Sequence, residues 1–341
     1  MITVYSEDHK LHHGRAELID GQLKPPVEKP ERAEMILRSV QEVGLGEVIP
    51  PEDFGLEPIL RAHSPEFVTF LQTAYGEWAE IFGERDALPL NWAVRGFTPK
   101  IPKTVEGKLS YYSFDAATPI TAGTWQAATS SANVALTGQR LISSGEPAAF
   151  ALCRPPGHHA AADLYGGYCF LNNAAIAAQA FAEEGKHVAL LDVDYHHGNG
   201  TQSIFHGRSD IFYISLHADP AYDYPYFSGY ADERGVGEGE GFNLNLPLPL
   251  GTDWGDYKKA LQTALMRIEN FAPNVLLVSL GVDSFVDDPI SSFTLQAQDF
   301  SELGARSASL GLPTLFVMEG GYAVKTLGKN VTNVLTGFEN K

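Results

Sequence analysis

Four short apolar runs punctuate the second half of the chain: His187 to Asp192, Ile211 to Leu216, Val275 to Leu280 and Thr314 to Met318. Each is rich in Val, Ile, Leu and Phe without regular polar alternation, the pattern of parallel strands buried on both faces. Ala148 to Cys153 is a further strand-like run. Thr124 to Ile142, Asn173 to Glu184, Trp254 to Phe271 and Ala297 to Leu310 instead place apolar residues at helical spacing. Strands alternating with helices predict an α/β sheet covered on both faces. No repeat, linker or compositional break divides the sequence, so one domain is expected over residues 1–341. The least regular stretch, Gly83 to Gly107, mixes Pro, Trp and basic residues and predicts a long functional loop.

Polar, reactive residues follow these runs at once: Asp194-Tyr195-His196 after the first, His217 after the second, Asp283 after the third, and Glu319-Gly320-Gly321-Tyr322 after the fourth. Ligands of open α/β sheets gather at the carboxyl ends of the strands. Four separated segments are therefore expected to meet at one site.

Within Leu191-Asp192-Val193-Asp194-Tyr195-His196-His197-Gly198, period-two alternation places Asp192, Asp194 and His196 on one face. Two converging carboxylates and an imidazole repel and lose water unless a cation sits among them. No Lys or Arg stands nearby in sequence to pair with them. Asp283, in Gly281-Val282-Asp283, offers a third ligand, although an N-cap role competes. Two Asp and one His suit an open, catalytic Zn²⁺ or Fe²⁺ site. The turn Arg154-Pro155-Pro156-Gly157-His158-His159 carries tandem histidines, which can be plain surface; beside an acidic metal cluster they are natural proton carriers. Gly166-Gly167-Tyr168 reads as backbone approaching a ligand, with Asn173 able to start the next helix. Gly320-Gly321-Tyr322 is either a loop with a packed aromatic or an O–H donor for an oxyanion.

Composition narrows the partners. With 24 Lys+Arg against 42 Asp+Glu the formal charge is −18, which disfavours nucleic acid and favours cationic ligands. No apolar run approaches a membrane span, and none opens the sequence MITVYSEDHK, so neither a membrane nor a secretory route is expected. Two cysteines, Cys153 and Cys169, fit reduced thiols in a cytoplasm.

Taken as a set, RPPGHH, GGYCFLNN, LDVDYHHGNGTQ, SLGVD and MEGGY, in this order over Arg154 to Tyr322, resemble the histone deacetylase superfamily. The N-terminal YSEDHKLHHGRAEL, the ITAGTW segment and the stretch before residue 108 resemble its bacterial acetylpolyamine amidohydrolase branch. The resemblance implies an arginase-like α/β fold with an eight-stranded parallel sheet and one Zn²⁺ held by Asp194, His196 and Asp283. It implies proton transfer by His158 and His159, oriented by Asp192 and Asn199, and carbonyl polarisation by Tyr322. Asn199 stands where many relatives carry Asp, which makes His159 the less basic ring and the expected neutral base. A structural K⁺ or Na⁺ site is implied at Asp192, Asp194, His196, Ser215 and Leu216, and a second at Phe205, Arg208 and Ile211. Arginases place two further acids where this chain has Gly198 and Phe285, so one catalytic metal is expected.

The same resemblance implies a homodimer in which the stretch near 83–107 narrows the partner's entrance. It implies substrate contacts from Gly167, Tyr168 and Tyr224, and acidic attraction of a distal ammonium by Glu17 and Glu106. Ala117 replaces an acid found in some members, although Asp115 stands two residues earlier; that replacement favours acetylated diamines such as acetylputrescine or acetylcadaverine over longer chains. The expected reaction is hydrolysis of a small, cationic acetylated amine; a protein lysine deacetylase and a silent ligand-binding member are the alternatives.

Overall fold

The computed structural model describes residues 1–19, 21–93, 98 and 100–341. Its strands are Ile2–Val4 (β1), Glu17–Ile19 (β2), Gln22–Lys24 (β3), Val48–Ile49 (β4), Ala148–Ala151 (β5), Val188–Asp192 (β6), Ile211–Ala218 (β7), Asn243–Leu248 (β8), Val275–Leu280 (β9) and Thr314–Met318 (β10). Eight of them form one sheet in the order β4-β1-β5-β10-β9-β6-β7-β8, parallel at every pairing, and β2 pairs antiparallel with β3. The helices are Glu31–Glu42 (α1), Glu57–Ala62 (α2), Pro65–Phe82 (α3), Val105–Tyr112 (α4), Thr124–Ser143 (α5), Asn173–Glu183 (α6), Asn199–Phe205 (α7), Trp254–Phe271 (α8), Ala297–Ala308 (α9) and Val324–Glu339 (α10).

Alternation within the central strands divides the core. Leu191 of β6, Val278 of β9 and Phe316 of β10 point to the side covered by α1, α8, α9 and α10. Their neighbours Leu190, Leu277 and Leu315 point to the side covered by α5 and α6. A further apolar cluster joins α2, α3 and α4 to the outer face of α5. Both faces of the sheet are therefore dry, which is why these strands read as unbroken apolar runs. Leu277 is fully buried at the middle of β9, so Leu277→Ala is expected to cost about 2–5 kcal/mol of unfolding free energy, measured as a shift of the urea midpoint.

Two expectations need correction at their edges. The stretch from Gly83 to Gly107 is not loop to its end: the Thr104 hydroxyl caps Gly107 N at 3.3 Å and α4 begins at Val105. Residues 94–97 and 99 of that stretch lie outside the described residues. The cap of α6 is Asn172, whose side chain accepts from Ala175 N at 2.9 Å, rather than Asn173.

Candidate active site

Strands β6 and β9 are neighbours, with Asp192 in register with Ser279, so the segments leaving their carboxyl ends emerge side by side. β6 stops at Asp192, and Asp194 and His196 are placed by a turn rather than by strand alternation. Asp192 Oδ1 accepts from Asp194 N at 3.2 Å, and Asp194 Oδ1 accepts from His196 N at 2.9 Å. Across the gap, Asp283 Oδ1 accepts from Tyr195 N at 2.8 Å, so Asp283 pins the β6 turn instead of capping a helix.

The result is a buried cluster in which ligand atoms of Asp194, His196 and Asp283 all lie within 4.8 Å of one another. His196 Nδ1 is 3.1 Å from Asp283 Oδ2 and 3.4 Å from Asp194 Oδ1. Burial and the neighbouring Asp194 push the Asp283 carboxyl above the ordinary carboxylate range. Burial opposes a charged His196, yet the two carboxylates raise it to about 10. A divalent cation answers both demands. The backbone also leaves room: a Cβ on Gly281 would lie 2.1 Å from Asp194 Oδ2, and one on Gly320 2.5 Å from it. Donor set and close backbone approach both fit a metal.

The tandem histidines stand beside this cluster, ring centroids 4.1 Å apart, and differ in their partners. His158 Nδ1 is 3.0 Å from Asp192 Oδ2, which also accepts the Tyr213 hydroxyl at 3.0 Å. Burial opposes the charged ring of His158, but Asp192 and Asp194 outweigh it and raise the pKa to about 10. His159 Nδ1 is 2.7 Å from the neutral Asn199 Oδ1, and burial together with His158 and His196 holds it well below the ordinary histidine value. Tyr322 is buried, its ring edge-on to Tyr168 at 5.7 Å, and Asp288 Oδ2 accepts from its backbone N at 2.7 Å.

A cavity of about 510 Å³ opens onto these groups, lined by His158, His159, His196 and Tyr322 at its floor and by Gly167, Tyr168, Tyr224, Tyr226, Pro289 and Ile290 along its walls. Gly167 sits at φ +57°, and a Cβ there would meet the His159 ring at 2.3 Å. Asp115 ties the walls together: it accepts from Gly167 N, from the Tyr224 hydroxyl at 3.0 Å and from Ala117 N at 3.1 Å. Its carboxylate is thus engaged in shaping the wall. Glu17 is buried on β2, accepting from Val27 N at 3.1 Å, and does not line this cavity. Glu106 is exposed on α4 and also lies apart from it. Ser215 is in register with Asp192, with Leu216 next on β7; Phe205 closes α7, where its carbonyl accepts from Arg208 N at 2.9 Å, and Ile211 opens β7.

Sequence reasoning missed the support beneath the site. Glu28, Arg32 and Arg154 are 3%, 2% and 2% exposed, yet all three are charged and ion-paired. Burial would raise the Glu28 carboxyl, but Arg154 and then Arg32 hold it down to about 2. A carboxyl depressed on folding stabilises above its unfolded value and loses that contribution as pH falls through its folded one. The stability gap between wild type and Glu28→Gln is therefore expected to be flat above about pH 5 and to narrow from there toward pH 2, read by urea titration. An unchanging gap would contradict the ion pairing. The signal for this cluster was weak: Glu28 lies three residues before α1 and Arg32 in its first turn, 126 and 122 residues from Arg154.

The sheet, the cluster at its carboxyl ends and the histidine pair together make an α/β protein with a candidate metal-assisted hydrolytic centre. Residues 26–338 match the model of the histone deacetylase domain, and the chain belongs to that family. It is 58% identical over 340 residues to acetylpolyamine amidohydrolase 2 of Pseudomonas aeruginosa, covering 99% of each chain. It is 48% identical over 338 residues to the acetylpolyamine amidohydrolase of Mycoplana ramosa, again covering 99% of each. A crystal structure of acetylpolyamine aminohydrolase from Burkholderia pseudomallei superimposes with a TM-score of 0.95 at 40% identity, covering 99% of this chain and 98% of that one. Among the described residues no helix is long and apolar enough to cross a membrane.

Proposed function

We propose that this chain hydrolyses the acetyl amide of small, cationic acetylated amines, with acetylated diamines preferred. The carrying observation is a cavity of about 510 Å³, lined by Tyr168, Tyr224 and Tyr226, that reaches His196 of the Asp-His-Asp cluster, the histidine pair and Tyr322. Tyr168 and Tyr224 offer ring faces to a methylene chain or a cation, and the −18 charge favours a cationic substrate. The reading is also supported by relatives named for that reaction across nearly their whole length.

Asp194, His196 and Asp283 would hold the metal, one ion of Zn²⁺ or Fe²⁺ per chain. When bound, it supplies Lewis-acid polarisation of the acetyl carbonyl and acidification of a water. His159, kept neutral beside Asn199, takes the proton of the attacking water. The Tyr322 hydroxyl donates to the oxygen on which negative charge develops. His158, held by Asp192, stabilises that charge, and the pair returns a proton to the departing amine. Acetate and a free amine result. Asp192, Ser215 and Leu216 together with Asp194 and His196, and Phe205, Arg208 and Ile211 separately, would hold structural K⁺ or Na⁺ ions beneath the floor.

We place the narrowing of the entrance partly in a second copy of the chain. Glu106 and the exposed Leu90, Trp92 and Ile101 belong to the stretch assigned to that role. Glu17, behind Tyr168, then acts on that ring rather than on the substrate directly. The test is a parallel assay of acetylputrescine, acetylcadaverine, acetylspermidine and acetyl-lysine peptides, with metal content and sedimentation measured on the same sample. The diamines should give the highest kcat/KM, from a dimer carrying one metal per chain. Faster turnover of the peptides would assign the chain to lysine deacetylation instead.

A further inference from the structure

We propose that Glu28 is a positioning residue of this reaction: its carboxylate binds Arg154 and Arg32 together and so fixes the His158-His159 turn against the Tyr322 turn. Glu28 touches none of the reacting groups, and the proposal rests on the functional reading above only for the chemistry it affects.

The linkage is continuous. Glu28 Oε1 accepts from Arg154 Nε at 2.8 Å and from an Arg32 terminal nitrogen at 3.0 Å, and Oε2 accepts from Arg154 at 2.9 Å. Arg154 opens the turn that carries both histidines. Arg32 donates to the carbonyls of Gly321 and Glu319 at 2.6 Å each, and its guanidinium lies 4.6 Å from the centre of the Tyr322 ring. The two turns are also joined from the other side, where Glu319 Oε2 accepts from Gly157 N at 2.7 Å and from His158 N at 3.1 Å. The histidine turn and the tyrosine turn are thus clasped twice, once through the Glu319 side chain and once through Arg154, Glu28 and Arg32.

Stability alone is a poor reason for such a triad. Buried ion pairs cost desolvation that apolar residues of similar volume avoid, whereas removing one partner strands the other charge. Geometry is the better reason. Gly320 and Gly321 leave the tyrosine turn with backbone freedom, Gly321 standing at φ +125°. A planar guanidinium gripping carbonyls on both sides of Gly320 removes that freedom. Reactive groups lose rate steeply when misplaced by about 1 Å. Without the carboxylate, Arg32 and Arg154 become two buried cations with no shared anion, and each is driven from the turn it holds.

The test uses the metal-loaded protein and two readouts. Hydrogen exchange reads the turns without substrate: Glu28→Gln should accelerate exchange over 154–160 and over 318–324 while β9 and α8 stay as in wild type. Unchanged exchange in either turn overturns the proposal. Kinetics then reads the consequence. Glu28→Gln should lower kcat on the order of 10–100-fold with KM within about twofold, and by a smaller factor in a Tyr322→Phe background, where the tyrosine turn has no hydroxyl left to misplace while the histidine turn still loses its anchor. Equal losses in both backgrounds, or a loss confined to KM, overturn it. Glu28→Asp, which keeps the charge, should recover part of kcat and replaces the Gln variant in both readouts if that one does not fold. A wild-type protein inactive on every acetylated amine removes the functional reading, and the exchange result still decides the positioning.

Discussion

Tyr322→Phe is expected to lower kcat by on the order of 10²–10³ on acetylputrescine while leaving KM within a few-fold of wild type, the usual loss of a single oxyanion donor. The substitution removes one oxygen and little else. Arg32 still grips the carbonyls on either side of Gly320, Asp288 still accepts from the backbone N of residue 322, and Tyr168 still faces the ring. Burial keeps the phenol far above its ordinary pKa, so at neutral pH it carries the proton an oxyanion donor needs. Because the negative charge exists only as the bond rearranges, the deficit falls on turnover rather than on binding. Steady-state kinetics showing near-wild-type turnover would remove Tyr322 from the reaction.

Asp283→Ala is expected to reduce bound metal from about one equivalent per chain to less than about a tenth, and to abolish activity with it. Three side chains would hold the ion, and losing one leaves a single carboxylate and an imidazole, too few for an open catalytic zinc or iron site. The change also unfastens the β6 turn, since Asp283 accepts from Tyr195 N while facing His196. Added Zn²⁺ should raise the melting temperature of wild type by mass action and leave the variant unmoved. Metal analysis by mass spectrometry, with both melting curves, decides it. Full metal retention by the variant would mean that the ligand set lies elsewhere.

Much of this was legible in the sequence because the central strands are buried on both faces: β6, β7, β9 and β10 read as apolar runs with motif residues at their ends. β1 and β4, at three and two residues, are too short to leave a pattern. β8 is Asn-Leu-Asn-Leu-Pro-Leu, an edge strand whose polar alternation and Pro247 conceal it. At the site, Asp194, His196, Asp283, His158, His159 and Tyr322 converge because each follows a strand that the sheet brings together. The Asp192-to-His196 spacing suggested strand alternation, but carboxylate-to-backbone bonds in a turn do the placing. Glu28, Arg32 and Arg154 escaped because ion pairs between distant segments have no local signature, and Asp288 escaped because its partners are backbone amides; Asp115 was noticed only as an acid near Ala117, its tie to Gly167 N and the Tyr224 hydroxyl having no sequence signature.

Asp194, His196 and Asp283 leave the ends of two adjacent strands, whereas Tyr168, Tyr224, Tyr226 and Ile290 come from connecting segments. Sheet ends are stiff and connecting segments tolerate change. On the proposed reaction, selectivity and reactivity are mechanically insulated: a lineage or an engineer can retailor which amine chain threads the opening by exchanging rim residues, without retuning the carboxylate-imidazole cluster below.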